Sequence, residues 1–265
     1  MGSVTYNGLG SMGRLGNQMF QIATTIATGM DNGLNYYFNH WKCSYTHSDF
    51  NEFMENKLSN NPTGKIEVNY QEPGFGYNKI ELNTTLNYGL KGYFQSEKYF
   101  KDHRDLILET FRLSEDFKKV LKSKYYDVLV NSCSLHIRRG DYINKQDYHP
   151  LVSLDYYKNA LNEIYGNDLT EVNILVFSDD IKWCKENLVI ENANIYYITN
   201  NIDILDLYLM SMCDNNIIAN SSFSWWGAWL NQNDNKKVIA PKTWFGGKQT
   251  NLHTNDLYCE GWTQI

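Results

Sequence analysis

The chain has 265 residues, 42% of them hydrophobic and 15% aromatic, with a formal charge of −6. That size and apolar content build one large core or two smaller ones and exclude intrinsic disorder. The acidic balance argues against nucleic acid or an anionic membrane surface as partner.

Residues 4–6 form a short predicted strand that runs into Gly8-Leu9-Gly10-Ser11-Met12-Gly13-Arg14-Leu15-Gly16-Asn17-Gln18. Four glycines in nine residues let the backbone turn tightly and approach a ligand closely. A helix over 16–28 follows, so the order is strand, glycine loop, helix. The spacing is not Gly-x-Gly-x-x-Gly, and no acidic residue ends a following strand at the dinucleotide position. A sugar or acceptor site therefore fits better than a nucleotide site, with Arg14, Asn17 and Gln18 projecting from the loop and first turn. Strands are expected at 35–38, 65–70 and 84–94. The stretch 40–76 reads as polar loops. It holds His40, Trp41, His47 and Asp49, whose spacing fits no standard metal set and reads as solvated loop. Ser96 is placed to cap a helix over 97–111, and a Lys-rich helix over 114–124 leads to a domain boundary at 125–130.

From residue 131 the alternation is regular. Strands at 132–136, 172–177, 195–198, 217–219 and 237–240 are separated by helices at 154–165, near Trp183, at 202–212 and at 223–230. That pattern predicts a parallel sheet with right-handed crossovers. Three strand ends then share one rim: His136-Ile137-Arg138-Arg139-Gly140-Asp141, Ser178-Asp179-Asp180 and Asn220-Ser221-Ser222. Open α/β sheets take ligands at that rim. Two adjacent guanidinium groups match a phosphate or diphosphate; the alternative is a surface loop whose Arg and Asp pair with each other. Ser221 and Ser222 open a helix, either as an anion site or as a simple cap. Asp179 and Asp180 hold Mg²⁺ or cap the Trp183 helix, and capping is the simpler reading. Trp225 and Trp229 share a helix face, where packing is the expected role.

Five scattered cysteines without Cys-x-x-Cys spacing are expected as buried free thiols of a reducing compartment. No charged-then-apolar leader opens the chain, and no apolar run reaches the roughly 18–20 residues of a membrane span, so a soluble cytoplasmic protein is expected. Twenty tyrosines and seven tryptophans lean weakly toward carbohydrate, whose C–H faces pack on aromatic rings.

Three stretches together resemble the α-1,2-fucosyltransferases of glycosyltransferase family 11. They are Gly13-Arg14-Leu15-Gly16-Asn17-Gln18-Met19-Phe20, His136 to Tyr142, and Asn220 to Leu230. Residues 91–100 and 177–180 also look like this family, in the same order along nearly the whole chain. The resemblance implies an α/β chain of two Rossmann-like domains in the glycosyltransferase B-type fold. Residues 1–130 would form an N-terminal acceptor-side domain, and residues 131–265 a C-terminal domain binding GDP-fucose. It carries His136 to the guanine end, Arg138 and Arg139 to the diphosphate, and Asp206 to guanine. Asn220, Ser221 and Ser222 go to the phosphate-side helix start, Arg14 to the donor, and Asn17 to the transferred sugar and leaving phosphate. GDP-fucose and a galactose-terminated glycan are the implied partners, with no cofactor and no metal.

Inverting transfer from GDP-β-L-fucose develops negative charge on departing GDP, which Arg138 and Arg139 would stabilise. Asp141 is either a general base for the acceptor hydroxyl or a brace for an arginine. The expected activity is galactoside α-1,2-fucosyl transfer. Rivals are a fucosyltransferase of other linkage or another deoxysugar donor, an inactive glycan-binding protein on the same scaffold, and a Mg²⁺-dependent nucleotide enzyme using Asp179 and Asp180.

Overall fold

The computed structural model describes residues 1–38, 41–58, 64–249 and 251–265. They divide into two compact units: Met1–Phe117 with Leu252–Cys259, and Lys118–Asn251 with Glu260–Ile265. Compared with a division after residue 130, residues 118–130 join the second unit and 252–259 return to the first. No helix among the described residues is long and apolar enough to cross a membrane. All five cysteines are free and buried, as expected.

In the first unit, β1 (Ser3–Tyr6) is buried along its whole length and delivers the chain to the glycine loop. Helix α1 (Leu15–Asn32) follows, starting one residue before the expected place and running four residues further. Met19, Phe20, Ile22, Ala23, Ile26 and Ala27 recur at helical spacing and are buried. Gly33, left-handed at φ 61°, ends the helix, and Leu34 N donates to Gly29 O at 2.9 Å. β2 (Asn35–Tyr36), β3 (Val68–Gln71) and β4 (Asn87–Lys91) complete a parallel sheet of order β2-β1-β4-β3.

Two expectations fail here. The helix over 97–111 is broken: 3-10 turns at Glu97–Tyr99 and Lys101–His103 precede α2 (Arg104–Thr110). Phe100, at φ −142° and ψ 5°, is the break. Its ring is buried 6.1 Å from Phe20, so tertiary packing overrides a sequence that is helical by pattern. Ser96 does cap, but it caps the first 3-10 turn through Lys98 N. Trp41, read as solvated loop, is fully buried and donates from Nε1 to Gln18 Oε1 at 2.9 Å. His40 lies outside the described residues; Asp49 caps a short turn by accepting from Asn51 N. Helix α3 (Glu115–Tyr125) spans the division between the units.

The second unit contains β5 (Ser132–Ile137), α4 (Leu154–Tyr165), β6 (Asn173–Ser178), α5 (Ile181–Asn187), β7 (Asn194–Tyr197), α6 (Asp203–Ser211), β8 (Asn215–Ile217), α7 (Ser222–Leu230), β9 (Val238–Ala240) and β10 (Thr263–Gln264). The sheet is parallel throughout, in the order β10-β9-β8-β5-β6-β7. The chain winds outward from β5 to β7, then returns to the other side of β5 for β8 to β10. This is the Rossmann order, with its reversal between β5 and β8. β10 escaped the sequence reading because Thr263 and Gln264 are exposed and carry no apolar alternation.

A buried polar knot holds this reversal together. Asn216 Nδ2 on β8 donates to Ser134 Oγ on β5 at 2.7 Å and to Met210 O on α6 at 2.8 Å. Asn231, just past α7, donates to Asn216 Oδ1 at 2.8 Å and to Cys213 O at 2.7 Å. Buried polar groups satisfied in this way specify one arrangement of the elements they join. On α7, Trp225, Trp226 and Trp229 are all buried, and Trp225 stacks on Trp229 at 6.4 Å between centroids. Packing is thus the role of all three.

Helix α7 lies close against α6 at Gly227, where a Cβ would stand 2.9 Å from Met210 Cβ. Gly227→Ala gains about 1 kcal/mol in helix propensity but overpacks a tight contact, which typically costs about 1–3 kcal/mol. The expected net result is a loss of about 1 kcal/mol, seen as a lower urea midpoint with unchanged slope; a stabilised variant would mean that the α6–α7 contact has slack.

Candidate functional site

The rim of the second unit gathers most of the residues singled out in the sequence. β5 pairs with both β6 and β8, so the segments after these three strands issue side by side. His136 sits near the end of β5, 4% exposed, with Nδ1 2.8 Å from Ser224 Oγ and its ring 5.6 Å from Phe223. Burial, and then the Arg138 charge, press its pKa down to about 3. His136 is therefore neutral at physiological pH and works by hydrogen bonding, not by charge.

Both arginines leave β5 and are held by carboxylates. Arg138 Nη1 lies 3.0 Å from Asp179 Oδ2, and Nη2 pairs with Asp141 Oδ1. Tyr142 places its ring 5.3 Å from the Arg138 guanidinium carbon. Arg139 Nε lies 3.2 Å from Asp180 Oδ2, and its guanidinium rests 3.6 Å from the centroid of Trp183. The Arg139 backbone N–H donates to Asp179 Oδ1 at 2.9 Å. A Cβ at Gly140 would run into that carboxylate, so the tight turn after the arginines requires glycine. The loop thus contains the Arg–Asp pairs of the alternative reading, with both arginine side chains largely buried. Asp180 also caps α5, accepting from Trp183 N at 3.2 Å. Asp141 pairs with Arg138, the contact that a brace requires, and lies 3.9 Å from Lys145 Nζ.

Asn220 is buried and its Nδ2 donates to Pro150 O at 2.9 Å and Trp244 O at 3.1 Å, while its backbone carbonyl accepts from Tyr142 OH at 3.1 Å. Its amide nitrogen is therefore spent on the scaffold, while its Oδ1 is buried without a hydrogen-bond partner among the described residues. Ser221 is the N-cap of α7 and accepts from Phe223 N at 3.4 Å; Ser222 is the first helical residue. The cap reading holds for Ser221, and the helix start still brings its dipole to the rim. Asp206, in the first turn of α6, accepts from Asn201 Nδ2 at 2.8 Å and does not join the arginine network. Burial raises its pKa to about 6. Among the described residues, no group of three or more His, Cys, Asp and Glu side chains is arranged to hold a metal ion.

The remaining two residues belong to the first unit. Arg14 is exposed at the N-cap of α1. Asn17 is half-buried in the first turn, and its Oδ1 accepts from Gln95 Nε2 at 2.6 Å. The loop before it is held from beneath: Gln18 Nε2 donates to Gly13 O and Gln21 Nε2 to Met12 O, each at 2.8 Å. Trp183, Ser224 and Gln95 were not singled out in the sequence for the contacts they make. For Trp183 a signal was present: an aromatic three residues past a capping Asp sits where an arginine on the next strand end can lie over it.

Two parallel-sheet Rossmann-like units, with an arginine cluster at the switch point of the second, define a glycosyltransferase of the B-type fold. The same fold is found in Arabidopsis thaliana FUT1 in complex with GDP (TM-score 0.58, 12% identity, 91% of this chain and 70% of that one). It is also found in the α-1,6-fucosyltransferase NodZ of Bradyrhizobium soaked with GDP-fucose (TM-score 0.54, 12% identity, 87% and 93%). The family model for glycosyl transferase family 11 matches residues 4–265, and the chain belongs to that family. Relatives include the Escherichia coli O-antigen biosynthesis glycosyltransferase WbnK, 40% identical over 193 residues, covering 68% of this chain and 63% of that protein. The E. coli α-1,2-colitosyltransferase is 37% identical over 188 residues, covering 66% and 61%. The galactoside α-(1,2)-fucosyltransferase 2 of Oryctolagus cuniculus is 24% identical over 238 residues, covering 85% and 67%. The chain thus spans less than two thirds of the length of the two bacterial relatives.

The raised pKa of Asp206 has a signed consequence. A carboxyl whose folded pKa exceeds its unfolded value contributes stability below the unfolded value, near pH 4, and loses it as pH rises through about 6. Asp206→Asn keeps an acceptor for Asn201. It is expected to be near neutral at pH 4 and to stabilise at pH 8 by about 1–2 kcal/mol, after discounting for partial exposure. Denaturation at both pH values checks this; equal effects would place the buried charge elsewhere.

Proposed function

We propose that the chain is an inverting, metal-independent α-1,2-fucosyltransferase, moving L-fucose from GDP-β-L-fucose to the 2-hydroxyl of a galactose-containing glycan. The carrying observation is the braced pair Arg138–Arg139 beside neutral His136 at the switch point of the second unit. Two relatives, the α-1,2-colitosyltransferase and the galactoside α-(1,2)-fucosyltransferase 2, share the α-1,2 linkage, and the two fold neighbours were solved with GDP-fucose or GDP; both support the same reading.

In this reading the diphosphate meets Arg138 and Arg139, whose guanidinium planes are already set by Asp179, Asp141, Asp180 and Trp183. Little reorganisation remains when charge develops on departing GDP, which is the condition under which fixed cations accelerate a reaction most. The helix start at Ser221 and Ser222 adds backbone donors. The Asp206 carboxyl offers an acceptor pair that suits the adjacent N1–H and N2–H donors of guanine, and neutral His136 is assigned to the guanine end as well. Asp141 serves as a brace. With a dissociative transition state the acceptor hydroxyl gains acidity late, so no strong base is required.

A second reading, transfer of a related deoxysugar, is favoured by the colitosyltransferase relative. The deciding experiment is a glycan acceptor screen with GDP-fucose and GDP-colitose, read by mass and linkage. Fucose in α-1,2 linkage to galactose is expected, with full activity in chelator; a clear preference for the dideoxy donor would select the second reading. Arg138→Ala is expected to lower transfer by at least about a hundredfold, since one missing donor to a developing oxyanion costs about 3–4 kcal/mol. Near wild-type transfer by a folded Arg138→Ala protein would remove Arg138 from the site.

A further inference from the structure

We propose that Gln95 is a positioning residue for transfer: it fixes the direction of the Asn17 amide, so that the Asn17 NH₂ group is presented as a donor over the glycine loop. This rests on the proposed fucosyl transfer, with Asn17 at the transferred sugar and leaving phosphate. Gln95 Nε2 donates to Asn17 Oδ1 at 2.6 Å. The bond engages the acceptor end of the amide and leaves the donor end for a ligand. That donor end lies over Gly13, whose backbone is left-handed at φ 81°. A Cβ at Gly13 would strike the Asn17 amide nitrogen, so glycine is required there for space as well as for conformation.

Gln95 is delivered by a loop whose geometry is fixed several times over. It follows β4, the sheet neighbour of β1, and so issues beside the glycine loop. Phe94, immediately before Gln95, has φ 52°, an unfavourable conformation for a bulky side chain. It is held there by Glu72, which accepts from Tyr93 N at 2.7 Å and from Phe94 N at 3.0 Å. Tyr6 OH donates to Gly92 O at 2.7 Å. The Phe94 ring is fully buried, edge-on to Tyr6 at 6.5 Å and to Tyr99 at 5.4 Å. Backbone strain that is held by so many contacts, one residue before a polar side chain aimed at a ligand loop, marks a place where direction matters. A donor suits an oxygen gaining negative charge. An amide turned the other way would present its carbonyl to that oxygen and oppose the reaction.

Gln95→Glu preserves size but replaces the donor by an acceptor, so the Asn17 amide must turn to meet it. In the purified full chain, with GDP-fucose and an acceptor, kcat is expected to fall about thirtyfold or more while KM for the acceptor moves less than about threefold, as for a contact made in the transition state. In an Asn17→Ala background the same substitution is expected to change kcat by less than about twofold, because the two residues act as one unit. Gln95→Met, which removes the donor without inverting polarity, should give an intermediate loss and carries the test if the charged variant does not fold. If Asn17→Ala cripples transfer but the Gln95 variants retain wild-type kcat, or if the two effects multiply, the positioning role is overturned and the fucosyl-transfer reading stands. If Asn17→Ala transfers normally, the positioning role falls while Arg138 still tests the donor site. If the wild-type chain transfers no fucose to any acceptor, both fall together.

Discussion

The hydrogen bond between His136 and Ser224 spans the place where the sheet of the second unit reverses its order. His136 lies one residue before the end of the strand from which the sheet grows outward; Ser224 lies on the helix that follows the first strand of the return. The bond exists only because β8 lies directly beside β5, and the Asn216 knot below it keeps them so. The two arginines continue from the same strand, and the serine helix start continues from the other. Residues more than eighty positions apart thus meet at one rim because of strand order, with no loop required to bring them there.

The same economy of means appears in how charge is handled. His136 is neutral because it is buried beside an arginine, so the positive charge where β5 ends is carried by Arg138 and Arg139, with Lys145 3.9 Å from Asp141 Oδ2. Each arginine is held on a different partner set: Arg138 between two carboxylates and the face of Tyr142, Arg139 between one carboxylate and Trp183. In the first unit the polar groups of the glycine loop are held instead by neutral amides, Gln18, Gln21 and Gln95.

What the sequence revealed follows from how local each signal was. The strands at 172–177 and 237–240 and the helix at 154–165 have apolar patterns that match their burial, and the three strand ends of the second unit could be aligned by alternation alone. The break at Phe100 was hidden because the helix pattern through 97–111 is intact, and only the packing of Phe100 on Phe20 decides against it. β10 was hidden because it is an exposed edge of two polar residues. At the site, the residue types of the rim were readable, and so was a local brace of Arg138 by Asp141, three residues on; that Asp179 also holds Arg138, that Asn220 spends its amide nitrogen on Pro150 and Trp244, and that Trp183 lies under Arg139 were not, because these are contacts between segments far apart in sequence.

The carboxylates around Arg138 and Arg139 have one more consequence. Three acids, Asp141, Asp179 and Asp180, face two guanidinium groups, so the cluster is not an open positive trap but a site already neutralised by its own side chains. An incoming anion must compete with internal counter-ions whose effective concentration is fixed by the fold. Free phosphate, which brings nothing but its charge, gains little from such an exchange. A ligand that adds a heterocycle and a sugar gains contacts that an inorganic ion lacks. In the proposed reading, selectivity against simple anions follows from the resting arrangement of the rim, without any side chain dedicated to excluding them.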